Sequence, residues 1–99
     1  MKVQILPSAR EDLAEGFVFY EVQQAGLGAY FLDSLSADID SLALYAGIHR
    51  QVFGAHRLLA RTFPYAVYYE VVSESARVKA VLDCRRDPRW IRRKLQQPG

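Results

Sequence analysis

The sequence predicts an α+β fold: a helical hairpin packed on a small, mainly antiparallel sheet, in the order β-α-α-β-β-β-α. Three observations predict it. Apolar residues recur at helical spacing through the first half, and the recurrence is interrupted once, at Gly26-Leu27-Gly28. Three segments of alternating pattern then follow between residues 56 and 83, joined by short turn signals. The chain is 99 residues long, which fits a single domain, 1–99, and leaves too little for a second core.

Taken in order, Lys2 to Leu6 is a first strand with Val3 and Ile5 on one face, ended by Pro7. Ser8-Ala9-Arg10-Glu11 has the spacing of a capping box. Glu11, Asp12 and Glu15 sit where a helix dipole favours negative charge. Leu13, Phe17, Tyr20 and Gln24 continue the first helix for about four turns. After the glycine break, Phe31, Leu35, Ile39, Leu42 and Ala46 form the stripe of a second helix, with Gly47 as its stop. So short a break implies an antiparallel pair. His56–Thr62 and Tyr65–Val72 are the next strands, separated by Phe63-Pro64; proline cannot donate to a ladder. Ser73-Glu74-Ser75 is a turn. Arg77–Asp83 alternates, placing Val78, Ala80 and Leu82 inward and Arg77, Lys79 and Asp83 outward. Asp87-Pro88 then suits the start of a last short helix, with Ile91 and Leu95 one turn apart.

Apolar residues make up 51% and charged residues 24%, a globular composition. The formal charge of +2 conceals a division. Residues 1–48 carry two cations against seven carboxylates, net −5, and residues 49–99 carry eleven against four, net +7. An anionic partner for the second half is the expectation. A lone cysteine, Cys84, excludes an internal disulfide framework, and a buried, inert thiol is expected there. No apolar run approaches the roughly 20 residues of a membrane span, and the first residues do not make a signal peptide. The expected compartment is the cytoplasm, with no membrane partner.

The densest chemistry is Cys84-Arg85-Arg86-Asp87-Pro88-Arg89-Trp90-Ile91-Arg92-Arg93-Lys94, with six cations and one anion from Arg85 to Lys94. Arginine forks bind phosphate bidentately and Trp90 can stack on a base; an acidic protein surface would suit the same residues equally well. Arg57 and Arg61 share one strand parity, and Arg77 and Lys79 share another, so a basic sheet face opposite the helices is expected. Tyr65, Val67, Tyr69 and Val71 belong on the core face; Tyr68 points to the arginine side. His49, His56 and Cys84 lack the spacing of metal ligands. Gly26-Leu27-Gly28 lacks the lysine and preceding strand of a phosphate loop. No metal and no cofactor is expected.

Three segments carry a resemblance: Pro7-Ser8-Ala9-Arg10-Glu11-Asp12-Leu13, then Arg57 through Tyr69, with Phe63-Pro64-Tyr65 leading into an aromatic strand, then Val78 through Pro88, with Arg85-Arg86-Asp87-Pro88 leaving the last strand. Together they resemble the RelE/ParE superfamily of bacterial type II toxins, over nearly the whole chain. The resemblance implies a small plasmid-stabilisation-type toxin that inhibits growth. It also implies a cognate antitoxin whose C-terminal segment wraps and neutralises it in a hetero-oligomer. RelE-like members cut mRNA on the ribosome without metal, with a base on the ribose 2′-OH and cations at the phosphorane. In such a role Arg57, Arg61 and Arg86 would clamp phosphate and Tyr68 or His56 would be the base. Ala66 stands where the family's catalytic arginine is usual, and no Tyr or His follows Tyr69. ParE-like members lack those groups and poison DNA gyrase. The sequence therefore points to a ParE-like gyrase inhibitor, with the mRNA endoribonuclease as the alternative. The expected target or antitoxin contacts are Arg57, Arg61, Arg77, Lys79, Arg85, Arg86, Arg89 and Trp90.

Overall fold

A computed structural model describes residues 1–97. It contains β1 (Lys2–Ile5), α1 (Pro7–Gln23), α2 (Leu27–Asp40), α3 (Leu42–Tyr45), β2 (Gln51–Val52), β3 (Ala55–Leu59), β4 (Tyr65–Val72), β5 (Ser75–Asp83) and α4 (Pro88–Gln96). The five strands lie in the order β1-β5-β4-β3-β2. β1 runs parallel to β5, and every other pairing is antiparallel. The α+β class and the hairpin-on-sheet architecture are those the sequence predicts. The additions are short: α3 and β2.

Several local expectations are corrected. Ser8 is not a cap. Pro7 takes the first helical turn, where its missing N–H costs nothing. Ser8 instead donates its hydroxyl to the Lys79 carbonyl at 2.7 Å. The second helical stripe is broken at Ser41, so that Leu42 lies in α3 and Ala46 beyond it. Gly47 has φ +99, the left-handed region that glycine enters without strain. The strand expected over 56–62 is Ala55–Leu59, which leaves Arg61 in the following loop.

The largest correction concerns which way β5 faces. Tyr68 is opposite Ala80, but Tyr69 is opposite Val78, so Lys79 is an extra residue in β5. This bulge switches the parity. Val78 joins Val81 and Ala76 toward the helical hairpin, while Ala80 and Leu82 face the other side. Both sheet faces therefore carry apolar clusters. One holds Phe31, Leu35, Ile39 and Leu42 against Val67, Tyr69 and Val78, all 2% exposed or less. Each such side chain contributes about 1.5–3 kcal/mol by burial. Tyr20, Phe31, Phe63 and Tyr65 close its end, with Phe63 centroids 4.9 Å from Tyr20 and 5.2 Å from Phe31. The second cluster packs Ile91 and Leu95 of α4 on Ala55, Ala66, Tyr68, Ala80 and Leu82. Three alanines on neighbouring strands leave the depth into which a helix can settle.

The hairpin is held by two reciprocal close approaches. A Cβ on Gly16 would lie 2.5 Å from the Phe31 ring, and one on Gly28 would lie 2.8 Å from Phe17. Glu21 accepts from the backbone N–H groups of Gly26 and Gly28 at 3.1 and 3.0 Å. Its carboxylate thereby satisfies donors that the start of α2 leaves open.

Candidate functional site

The basic sheet face expected opposite the hairpin is only partly open, because α4 lies across it. Asp87 caps α4 by accepting from the Arg89 N–H at 2.8 Å, Pro88 follows, and Ile91 and Leu95 turn inward. Its cations, Arg92 and Arg93 among them, are left on the outside. Arg92 lies 5.4 Å from the Phe53 ring. Trp90 is half-buried beside the second cluster, with the Arg86 guanidinium 3.9 Å from its ring centroid and Lys94 at 5.8 Å. Both distances suit cation–π attraction.

The sequence-predicted residues divide into three groups. Arg57 is paired across β3–β4 with Tyr68, on the α4 side as parity predicts. Tyr68 is only 2% exposed, however. Burial pushes its hydroxyl above the usual tyrosine range, Cys84 adds to the rise, and Arg57 pulls the other way. A general base at neutral pH needs an accessible group with a pKa near 7; Tyr68 meets neither condition. Arg77 shares this face and lies 3.5 Å from Glu70.

The second group gathers at the exit from β5. Arg85 forks onto Asp83 through Nε at 3.0 Å and Nη2 at 2.7 Å. That contact holds the Asp83 carboxyl below its ordinary value and raises Arg85. Arg89 grips Asp87 at 2.9 Å, which lowers the Asp87 carboxyl in the same way. Arg86 has no carboxylate within ion-pair distance among the described residues and rests on Trp90 instead. Cys84 is exposed, not buried, because the chain has already left the sheet there. Its thiol is nonetheless raised, by the protein packed beside it.

The third group stands apart. Arg61 lies in the β3–β4 loop, and its backbone N–H donates to the buried Asp38 at 3.3 Å. Lys79 is the bulge residue. His56 faces the hairpin side, paired with Tyr69 and stacked on its ring at 5.1 Å. Its Nδ1 donates to the His49 carbonyl at 2.6 Å. The Tyr69 hydroxyl accepts from the Gly47 N–H at 2.9 Å and bonds the His49 ring. Burial lowers the His49 pKa, and His56 nearby lowers it further. Both histidines thus secure the segment before β2, and they do so through Tyr69, on the sheet face opposite Arg57.

A cleft of about 230 Å³ opens between α1 and the exit from β5. Asp12, Glu15, Phe19, Tyr65, Asp83, Arg86 and Trp90 line it. It forms because β1 pairs only with the first part of β5, leaving the rest of that edge to α1. Asp12 takes over from the missing strand by accepting from the Val81 N–H at 2.9 Å. Burial raises its carboxyl from 3.8 to about 6, against the Val81 bond and Lys94, which lower it. Burial likewise pushes the Tyr65 hydroxyl up to about 12. Asp12 was not among the sequence candidates. Its signal was the spacing Ala9, Asp12, Gly16, Tyr20, which places a carboxylate on the packed stripe of α1.

Among the described residues, no three His, Cys, Asp or Glu side chains cluster so as to hold a metal, and no helix is long and apolar enough to cross a membrane. No family model matches the sequence, and no curated protein matches it. The fold has a solved counterpart in a chain of the "Chromosomal ParDE TA system from P. aeruginosa". The two superpose with a TM-score of 0.75 at 17% identity, covering 82% of this chain and 92% of that one. The molecule therefore has the fold of a chain from a ParDE system, the architecture that its resemblance to the RelE/ParE superfamily implies.

Proposed function

We propose that this chain is the toxin of a type II toxin–antitoxin pair, acting in the cytoplasm, bound by a cognate antitoxin and directed at DNA gyrase. The fold shared with a ParDE system supports the toxin assignment. The burial of Tyr68 carries the choice of target: where an RNA-cutting relative needs an accessible base, this chain has a hydroxyl sealed between β4 and α4. Ala66 and the lack of any Tyr or His after Tyr69 support the same choice. In this reading Arg86, Trp90 and the outer cations of α4 meet the target, and no cofactor takes part.

One observation favours an mRNA endoribonuclease instead: Arg57 lies directly opposite Tyr68, the arrangement of a phosphate clamp beside a base. A single pair of assays separates the two. Purified chain is added to gyrase in a supercoiling assay and to a translating extract carrying a labelled mRNA. Loss of supercoiling with intact message is expected, and Arg86→Ala should raise the inhibitory concentration roughly tenfold, about 1.4 kcal/mol. Normal supercoiling at saturating chain overturns the gyrase assignment, and cleaved message replaces it with the alternative.

A further inference from the structure

The stretch from Gly47 to Gly54 carries the chain from α3 into β3 with little regular structure to hold it. β2 contributes two residue pairs to the sheet, and one further backbone bond runs from the Arg57 N–H to the Arg50 carbonyl at 2.9 Å. Most of its residues, Ile48, Arg50 and Phe53 among them, are exposed. The turn is also strained: Phe53 has φ +54 beside Gly54 at φ +81, and a bulky side chain enters that left-handed region at a cost. A polar cluster around the fully buried Tyr69 ties the stretch down. The Tyr69 hydroxyl meets both the Gly47 N–H and His49 Nδ1, and His56 Nδ1 bonds the His49 carbonyl at 2.6 Å.

The protons in this cluster can be placed one by one. Gly47 donates to the tyrosine oxygen at 2.9 Å, so the single hydroxyl proton points at His49. His49 Nδ1 is then the bare nitrogen of a neutral imidazole that carries its proton on Nε2. His56 has the other tautomer, because its Nδ1 faces a carbonyl that can only accept. A second proton on His49 lands on Nδ1. Two N–H donors then converge on one oxygen, and the hydroxyl proton loses its acceptor. The new charge finds no partner either. The titratable groups facing the His49 ring are Tyr69 from β4 and His56 from β3, and Arg50, next in the chain, is another cation. No carboxylate lies within ion-pair distance of either histidine among the described residues. Burial and the neighbouring His56 both oppose the charged form of His49. The His56 bond is indifferent to protonation of its own ring, since Nδ1 keeps its hydrogen in either state.

We propose that the segment from Gly47 to Gly54 is an acid-released latch, closed on Tyr69 while His49 is neutral and freed when His49 takes up a proton. The open segment exposes His49 to water, where it binds the proton more tightly. Closure is therefore complete above the ordinary histidine value of 6.5 and weakens by up to about tenfold for each pH unit below it. Opening withdraws Phe53 from Arg92, 5.4 Å away on α4, so acidity reaches the basic end of the molecule. The latch uses only groups of this chain and stands apart from the toxin reading.

Amide hydrogen exchange on the intact chain at pH 7.5 and 5.5, corrected for the intrinsic rate, tests the latch. The Gly47 amide should lose roughly tenfold or more in protection at the lower pH, while the Val67 amide in the central strand β4 keeps its own. His49→Asn sets a non-titrating acceptor near the Nδ1 position and should make Gly47 protection independent of pH. Tyr69→Phe keeps the ring and should leave Gly47 unprotected at both values. Nitrogen-15 NMR of the imidazoles should find His49 protonated on Nε2 and His56 on Nδ1 at pH 7.5. Constant Gly47 protection in wild type overturns the proposal, as does a loss that persists in His49→Asn or that Val67 shares. Protection retained in Tyr69→Phe, or a His49 proton on Nδ1 at pH 7.5, overturns it equally.

Discussion

Asp12 shows how one side chain can be structurally required and costly at once. It is 7% exposed, yet it supplies the acceptor that β5 lacks beyond the end of β1. A buried donor left without a partner costs about 1–3 kcal/mol, so the carboxyl is needed there. Its charge is not needed. Because the folded-state pKa lies near 6 and the ordinary value is 3.8, the folded chain holds a proton that the unfolded chain releases. Stability from this group is therefore greatest below about pH 4 and declines as the pH rises toward 6, by about 3 kcal/mol at most. Asp12→Asn keeps an oxygen for Val81 and removes the ionisation. Urea denaturation from pH 4 to 7 should show a flatter profile for the variant and greater stability above pH 6. An unaltered slope would mean that the carboxyl is not the group being titrated. Side chains of this kind are hard to see in a sequence. Glu11, Asp12 and Glu15 look alike as acidic residues in the first half of a helix, and only the spacing to Ala9, Gly16 and Tyr20 singles out the middle one. Tyr68 shows the complementary difficulty. Strand parity gives its direction correctly, but burial depends on α4, which lies twenty residues further along.

At the scale of elements, periodicity makes the helices and long strands legible, because each stripe or alternation is local. Features that depend on a neighbouring element are not. The bulge at Lys79 reverses the facing of Val78 relative to Ala80, and its one trace in Arg77–Asp83 is Val81, an apolar residue at a position that strict alternation would turn outward. The cover that α4 provides is similarly masked: Ile91 and Leu95, with Trp90 half-buried beside them, anchor a helix otherwise dominated by cations, and Ala55, Ala66 and Ala80 reveal their purpose only side by side. β2 is two residues long, too short for any pattern. Gly16 is the clearest case of an element-level constraint. Its lack of a side chain sets how closely α1 approaches α2, since a Cβ would lie 2.5 Å from two atoms of the fully buried Phe31 ring. Gly16→Ala improves helix propensity by about 1 kcal/mol but forces the ring out of a packed cluster, a strain of about 1–3 kcal/mol. The net outcome expected is a lower urea midpoint with an unchanged m-value. A midpoint equal to or above wild type would show that the hairpin can open to admit the methyl group without loss.

Over the whole molecule, the division of charge acquires a geometry. The hairpin carries Asp33 and Asp40 on exposed positions of α2, whereas Arg92 and Arg93 are exposed on α4 across the sheet. The shortest extent of the molecule is 21 Å, about twice the Debye length of roughly 10 Å at 0.1 M salt. At such ionic strength a charged partner responds to the surface it approaches, and the net +2 is a sum that no partner experiences. This separates two pairs of substitutions that alter net charge by the same amount. Arg92→Ala/Arg93→Ala removes two cations from the basic end, and Asp33→Asn/Asp40→Asn removes two anions from the acidic face. On an immobilised polyanion such as heparin at 0.1 M salt, the first pair should elute markedly earlier than wild type and the second almost unchanged. Near 10 mM salt, where screening extends to about 30 Å, the acidic pair should begin to elute later than wild type. Equal and opposite shifts for the two pairs at 0.1 M would show that net charge governs, and that the basic end is not a distinct surface. The contrast matters for function because the target contacts proposed for α4 require the basic end to be recognised as a surface of its own, independently of the acidic hairpin.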